Sequence, residues 1–309
     1  MISLAGFLVR RLLAIAVLVL AVTLAAFALF RIGVRNRATD AQINQQLGAG
    51  RPASWQYLHY LLRLLHGNLG ETLTPGLSVG TVLRRALPPT LSLMVGAMVL
   101  WLVAGVLAGT VSALGRGSWA DRVITGAVAV PLAVPTFLVA ALLLYVFSYL
   151  ARFGNLWLQP GYVPITQSPG QWLGRMILPW VAVAATQAGV TARLMRGAVL
   201  ETLGEDYIRL ARAKGLPEHR LLWRHVLRAA IIPVTASISA GFGTLLGATA
   251  IVDQVFALGG IGQALLVSVG NGDLMVIMGT VLLAVILISL VNLTADICHA
   301  VLDPRVRVT

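Results

Sequence analysis

The chain has 309 residues, 58% of them hydrophobic and 11% charged, with a mean hydropathy of +0.86. A soluble domain cannot hide that much apolar surface, so the composition excludes a soluble globular protein and points to an all-α polytopic membrane protein. The formal net charge is +12, yet the basic residues fall mostly in gaps between apolar runs, the pattern of topogenic loops and not of a nucleic-acid footprint.

A hydrocarbon core needs roughly 20 apolar residues per helix, and six segments qualify: about 8–30, 90–114, 123–150, 176–195, 231–252 and 274–301. The first opens with the pair Arg10-Arg11. Its apolar run of about 19 residues exceeds a signal-peptide core and no small-residue cleavage site follows, so residues 1–30 are expected to stay as the first transmembrane helix.

Residues 31–89 are expected outside the membrane, although they hold seven arginines, because long loops translocate largely regardless of charge. Within them "SWQYLHYLLRLLHGNLG" places Leu58, Leu61, Leu62 and Leu65 at helical spacing, with Trp55, Tyr57 and Tyr60 near one end. It is too short to span, which predicts an interfacial amphipathic helix.

Residues 90–303 hold the other five spans, and 304–309 form a tail. The amino terminus, "GRGSWADR" (115–122), the loop 196–230 and the tail are basic, whereas 253–273 has Asp253 and Asp273 and no basic residue. This alternation predicts both termini in the cytoplasm. Gly105 with Gly109, and Gly243 with Gly247, are small pairs suited to helix packing. Pro131 and Pro135 interrupt the third span and Pro233 opens the fifth; such residues serve packing or line a path that changes shape.

The loop between spans four and five, "EDYIRLARAKGLPEHRLLWRHVLRAA" (205–230), contains the chain's one lysine. Gly215 is a good residue to follow a helix end, and Lys214 suits the negative end of the helix dipole. Pro217 fits the first turn of a second helix with Glu218 beside it. The expectation is a helix over about 198–214, a tight turn at Gly215-Leu216, and a helix over about 217–229. Arg220, Arg224 and Arg228 would form a basic stripe beside an apolar face of Leu222, Val226 and Ala229. Such a surface suits either anionic lipid headgroups or a docked cytoplasmic protein.

"DYIRLARAKG" resembles the cytoplasmic signature of ABC-importer permeases in the form used by the peptide/nickel branch. "QYLHYLLRLLHGNLG" (56–70), "RGSWAD" (116–121), "VPTF" (134–137) and "LVNLTADICHAVLDPRVR" (290–307) also resemble segments of that family, so the likeness covers nearly the whole chain. It favours the B-type subunit of a dipeptide or oligopeptide importer, one half of a heterodimeric permease with the type I fold in a bacterial inner membrane. Departures occur at "FRIGVRNRATD", "VDQVFALGGIG" and "GDLMV", all at or near the expected outer face. Nickel-chelate and glutathione importers use nearly the same permease.

The resemblance implies that Glu205, Asp206, Tyr207, Ala211, Arg212, Ala213, Lys214 and Gly215 contact an ATPase subunit. Two ATPase subunits or domains, a homologous second permease, an extracytoplasmic binding protein and membrane lipid are the implied partners; nucleic acid is not. No cofactor is expected in this chain. The P-loop needs Gly-Lys-Ser/Thr, but Lys214 is followed by Gly215, so ATP and Mg²⁺ belong to partners.

The five histidines form no H-E-x-x-H pair, which argues against a zinc-dependent hydrolase and, with it, an enzyme. Cys298 stands alone, excluding an intrachain disulfide. Asn292, Asp296 and His299 share one face of the last span. They read either as interhelical hydrogen-bonding groups or as the relay of an ion-coupled secondary transporter centred on Asp296.

Overall fold

The computed structural model describes residues 4–33, 46, 48, 50–151 and 159–302. Within these, the side chains of residues 4–9, 12, 29–33, 150, 151, 236–240, 242 and 295–302 lie outside the description. The described elements are helical: α1 (Leu4–Gly33), α2 (Ala53–Leu65), α3 (Val79–Leu114), α4 (Trp119–Ala133), α5 (Thr136–Ala151), α6 (Pro169–Gly204), α7 (Asp206–Ala213), α8 (Glu218–Leu221), a π-helical turn (Leu222–Val226), α9 (Leu227–Phe256), α10 (Ile261–Asn271) and α11 (Leu274–Leu302).

Among the described residues, α3, α6 and the 274–294 stretch of α11 are long and apolar enough to cross a membrane. Two bent helix pairs raise the number to five, and α1 carries a shorter apolar helix, Leu13–Ala28.

Several boundaries differ from expectation. Residues 79–89 already form the first turns of α3, with Pro88 and Pro89 inside the helix. The third span is not one rod: α4 and the 136–149 part of α5 meet at 107°. The cause is local, since Pro135 disfavours helical backbone at the preceding residue, and Val134 is extended at φ −110° and ψ 130°. Pro131, by contrast, stays inside α4. The fourth span and the helix expected from 198 are one continuous helix ending at Gly204, and Pro233 lies inside α9 instead of opening it.

The chain folds as two compact units. Of the described residues, those within 92–256 and 294–302 make the larger, and those within 4–91 and 257–293 the other. In the larger, α6 is central and packs against α4, α5 and α9. Gly105 and Gly109 let α3 approach it: a Cβ at 109 would stand 2.5 Å from the Ala192 carbonyl oxygen, and one at 105 would stand 2.7 Å from Thr191 Cβ. Close backbone approach of this kind is how helices gain contact in lipid, where the hydrophobic effect gives no drive. Buried Trp101 donates from Nε1 to Thr191 Oγ1 at 2.6 Å, tying the same two helices. A Cβ placed at Gly243 or Gly247 would meet no atom within 4 Å, so that pair packs against nothing among the described residues.

In the second unit, α2 does not present one apolar face. Tyr60 is buried with Phe27, Val79, Leu83, Leu274, Met275 and Met278, and Tyr57, Leu61 and Leu64 pack against that cluster. The opposite ridge of Trp55, Leu58, Leu62 and Leu65 is exposed. Tyr57 donates to the Leu20 carbonyl at 3.0 Å and lies 3.0 Å from Thr23 Oγ1, fastening α2 to α1. Burial, with Tyr57 nearby, pushes the Tyr60 hydroxyl up to about 12. Asp273 accepts from the Val276 and Leu73 amides at 3.3 and 2.8 Å, capping α11 and pinning the loop before α3.

Candidate functional site

The eight charged-loop candidates fall in one short stretch at the end of α6. Helix α6 stops at Glu205, whose backbone is extended (φ −68°, ψ 143°), and α7 restarts at once. The Glu205 carbonyl accepts from the Ile208 and Arg209 amides at 3.1 and 3.2 Å. Asp206 sits in the first turn of α7, where a carboxylate meets the positive helix end, and Arg209 reaches it at 3.5 Å.

The end of α7 is a complete Schellman motif. Gly215 takes φ +81°, its amide donates to Arg212 O at 3.0 Å, and the Leu216 amide donates to Ala211 O at 3.3 Å. Lys214 is the last residue before the reversal. Pro217 (φ −66°, ψ 140°) then caps α8, its carbonyl accepting from the Arg220 and Leu221 amides at 3.0 Å each.

Across the turn the Arg212 guanidinium grips Glu218 with both arms, Nε to Oε1 at 2.6 Å and one terminal nitrogen to Oε2 at 3.2 Å. This hydrogen-bonded pairing holds the Glu218 carboxyl below its ordinary range. The two limbs of the turn are thus fixed to each other by backbone and side chain.

The segment is bolted to the core from beneath. Ile208 is fully buried with Ala113 of α3, Met195 and Val199 of α6, and Leu221, Val226, Ala230 and Val234. Burying such a side chain contributes roughly 1.5–3 kcal/mol. The apolar face expected at Leu222, Val226 and Ala229 is centred instead on Leu221, Val226 and Ala230, with Leu222 packed against them at the edge. The π turn explains the change: one extra residue per turn brings positions five apart onto the same face. Arg220, Arg224 and Arg228 all remain exposed.

Outward, α7 and the π turn show Tyr207 (48% exposed), Leu210 (56%) and Trp223 (71%) among charged side chains. Large apolar groups held in the open on a rigid, basic surface are what a docked protein covers. Leu210 and Trp223 carry no signal of their own in the sequence, where they read as ordinary apolar positions of an amphipathic helix.

A second polar cluster stands in the same unit. Asp121, in the first turn of α4, receives Arg196 of α6 through two bonds, Nε to Oδ1 at 3.0 Å and a terminal nitrogen to Oδ2 at 2.9 Å. The Ser112 hydroxyl of α3 also donates to Oδ1, and the Gly117 amide to Oδ2 at 3.0 Å. Ser118 caps α4 by accepting from the Asp121 amide at 3.2 Å. The Ser-x-x-Asp spacing in "RGSWAD" is the sequence signal for that cap; nothing local marks Arg196, 75 positions away.

Asn292 belongs to the other unit, and its Oδ1 is buried without a partner among the described residues. Asp296 and His299 lie on α11, but their side chains fall outside the described residues. No group of three or more His, Cys, Asp or Glu capable of holding a metal occurs among the described residues.

Against this geometry, residues 102–308 match the family described as binding-protein-dependent transport system inner membrane component. The probable peptide ABC transporter permease protein y4tP of Sinorhizobium fredii is 33% identical over 268 residues, 86% of this chain and 84% of that protein. The glutathione transport system permease protein GsiC of Escherichia coli is 34% identical over 272 residues, 87% of this chain and 85% of that one. The inward-facing MetNI methionine ABC transporter shares the fold, with a TM-score of 0.56 at 19% identity, covering 72% of this chain and 96% of the other.

Proposed function

The chain belongs to the family of binding-protein-dependent transport system inner membrane components, and from that premise we propose that it is a permease subunit of an ATP-driven importer of short peptides. The relatives named as peptide and glutathione permeases support a cargo carrying peptide bonds. The chain would supply half of the path, a homologous permease the other half, and two cytoplasmic ATPase subunits the energy. An extracytoplasmic binding protein would deliver cargo at the outer face of a bacterial inner membrane.

The observation that carries this reading is the segment from Glu205 to Trp223. It is stiff, capped and anchored by Ile208, yet it holds Tyr207, Leu210 and Trp223 in the open. Glu205, Asp206, Tyr207, Ala211, Arg212, Ala213, Lys214 and Gly215 would meet the ATPase there. When the ATPases close on ATP, a rigid segment transmits the displacement into α6 and α9, whereas a floppy tether would absorb it. Lipid headgroups alone would require the arginines but not the shaped turn.

The test is to reconstitute the complex with Gly215→Pro or Lys214→Glu. Proline cannot adopt φ +81°, and glutamate reverses the charge at the negative helix end. Membrane insertion should be normal, while transport of a radiolabelled tripeptide falls and ATP hydrolysis continues. Normal transport by both variants, or transport that survives ATP depletion, would overturn the proposal.

A further inference from the structure

We propose that Asp121 is a positioning residue of the transport cycle, clamping the α3–α4 turn to α6 so that displacement of the segment 205–216 reaches α3, α4 and α6 together. The inference rests on the reading of that segment as the ATPase-docking surface.

The geometry is that of a built joint. Donors converge on one carboxylate from Ser112 at the end of α3, Gly117 in the turn, Thr125 on α4 (to Oδ1 at 3.3 Å) and Arg196 on α6. The Asp121 side chain is 8% exposed and that of Arg196 32%. A guanidinium bound through two parallel bonds fixes direction as well as distance, which a point charge does not. Arg196 stands nine residues ahead of Glu205, about 13 Å along the helix axis. Its Nε also donates to Ser112 Oγ at 3.0 Å, so α3 is joined to α6 directly as well as through the carboxylate.

This cluster is more than a staple for α4. The α3–α4 connection is short, from Gly115 to Ser118, and is held by its own cap and by the Ser118 amide donating to Gly115 O at 2.9 Å. Local structure alone would keep that turn closed. What the Asp121–Arg196 pair adds is its attachment to the helix that leads into the docking segment.

The test uses the full complex in nanodiscs, with hydrogen exchange followed before and after trapping by ATP, Mg²⁺ and vanadate. In the wild type, trapping is expected to change exchange at both 205–216 and 112–125. In Asp121→Asn the change at 205–216 should persist, while that at 112–125 should shrink about tenfold, since loss of one charge leaves Arg196 uncompensated. Arg196→Lys keeps the charge but not the fork and should act in the same direction; it carries the test if Asp121→Asn fails to accumulate in the membrane.

A response at 112–125 that survives in both variants overturns the clamp while leaving the docking surface standing. A uniform rise in exchange over all helices, with no selective loss at 112–125, also overturns it by assigning the pair to stability alone. No response at 205–216 in the wild type removes the docking reading, and the clamp with it. The two failures are distinguished by whether they arise in the wild type or in the variants.

Discussion

Gly109 and Gly243 each belong to a G-x-x-x-G pair, yet among the described residues only the first pair touches another helix. A methyl at 109 would meet the Ala192 carbonyl and Met195 Cβ at 2.5 and 2.7 Å, so backbone must yield. Gly109→Ala should destabilise the detergent-solubilised chain by about 1–3 kcal/mol. Gly243→Ala meets open space and should change stability by no more than about 1 kcal/mol, in the stabilising direction. Thermal unfolding of the two variants side by side checks the pair. Sequence spacing shows that a glycine pair is available for packing, but which neighbour uses it is decided by distant chain. Gly215 is the opposite case. Its role is legible because every atom of the Schellman motif lies within six residues, whereas the Asp121–Arg196 pair joins positions that share no local pattern.

Among the elements, the spans are readable from apolar run length, and the differences concentrate where one helix continues or breaks. Run length ends a helix at the first cluster of charges, but backbone hydrogen bonding does not stop there. Hence α6 runs to Gly204 and α3 starts at Val79, while the break at Val134–Pro135 depends on which of two prolines wins. The π turn follows from packing: Leu221 and Val226 both enter the core, and a spacing of five positions exceeds one α turn. Deleting exposed Trp223 should therefore be tolerated, since it places Leu221 and Val226 four apart and restores regular helix. Deleting Ala229 should not, because it rotates the preceding turn by about 100° against the core. Membrane abundance and thermal stability of the two deletions distinguish these outcomes, and equal tolerance would mean that the wide turn has another cause.

For the whole molecule, α6 sets the scale. Its 36 residues make a rod about 54 Å long, longer than the roughly 30 Å hydrocarbon core, so Gln167 before it and Glu218 after it should lie on opposite sides of the membrane. With Cys298 replaced by serine, Gln167→Cys should react with an impermeant maleimide in intact cells, and Glu218→Cys only after the membrane is opened. The reverse labelling would invert the topology drawn from the basic loops. Lys214 is the sole lysine of the chain and lies exposed at the apex of the turn. Apart from a free amino terminus, an amine-selective reagent therefore has one target in this subunit, at the point proposed to be covered by the ATPase. The native sequence carries its own occupancy gauge there, and its reactivity can be followed through a working cycle without altering a residue.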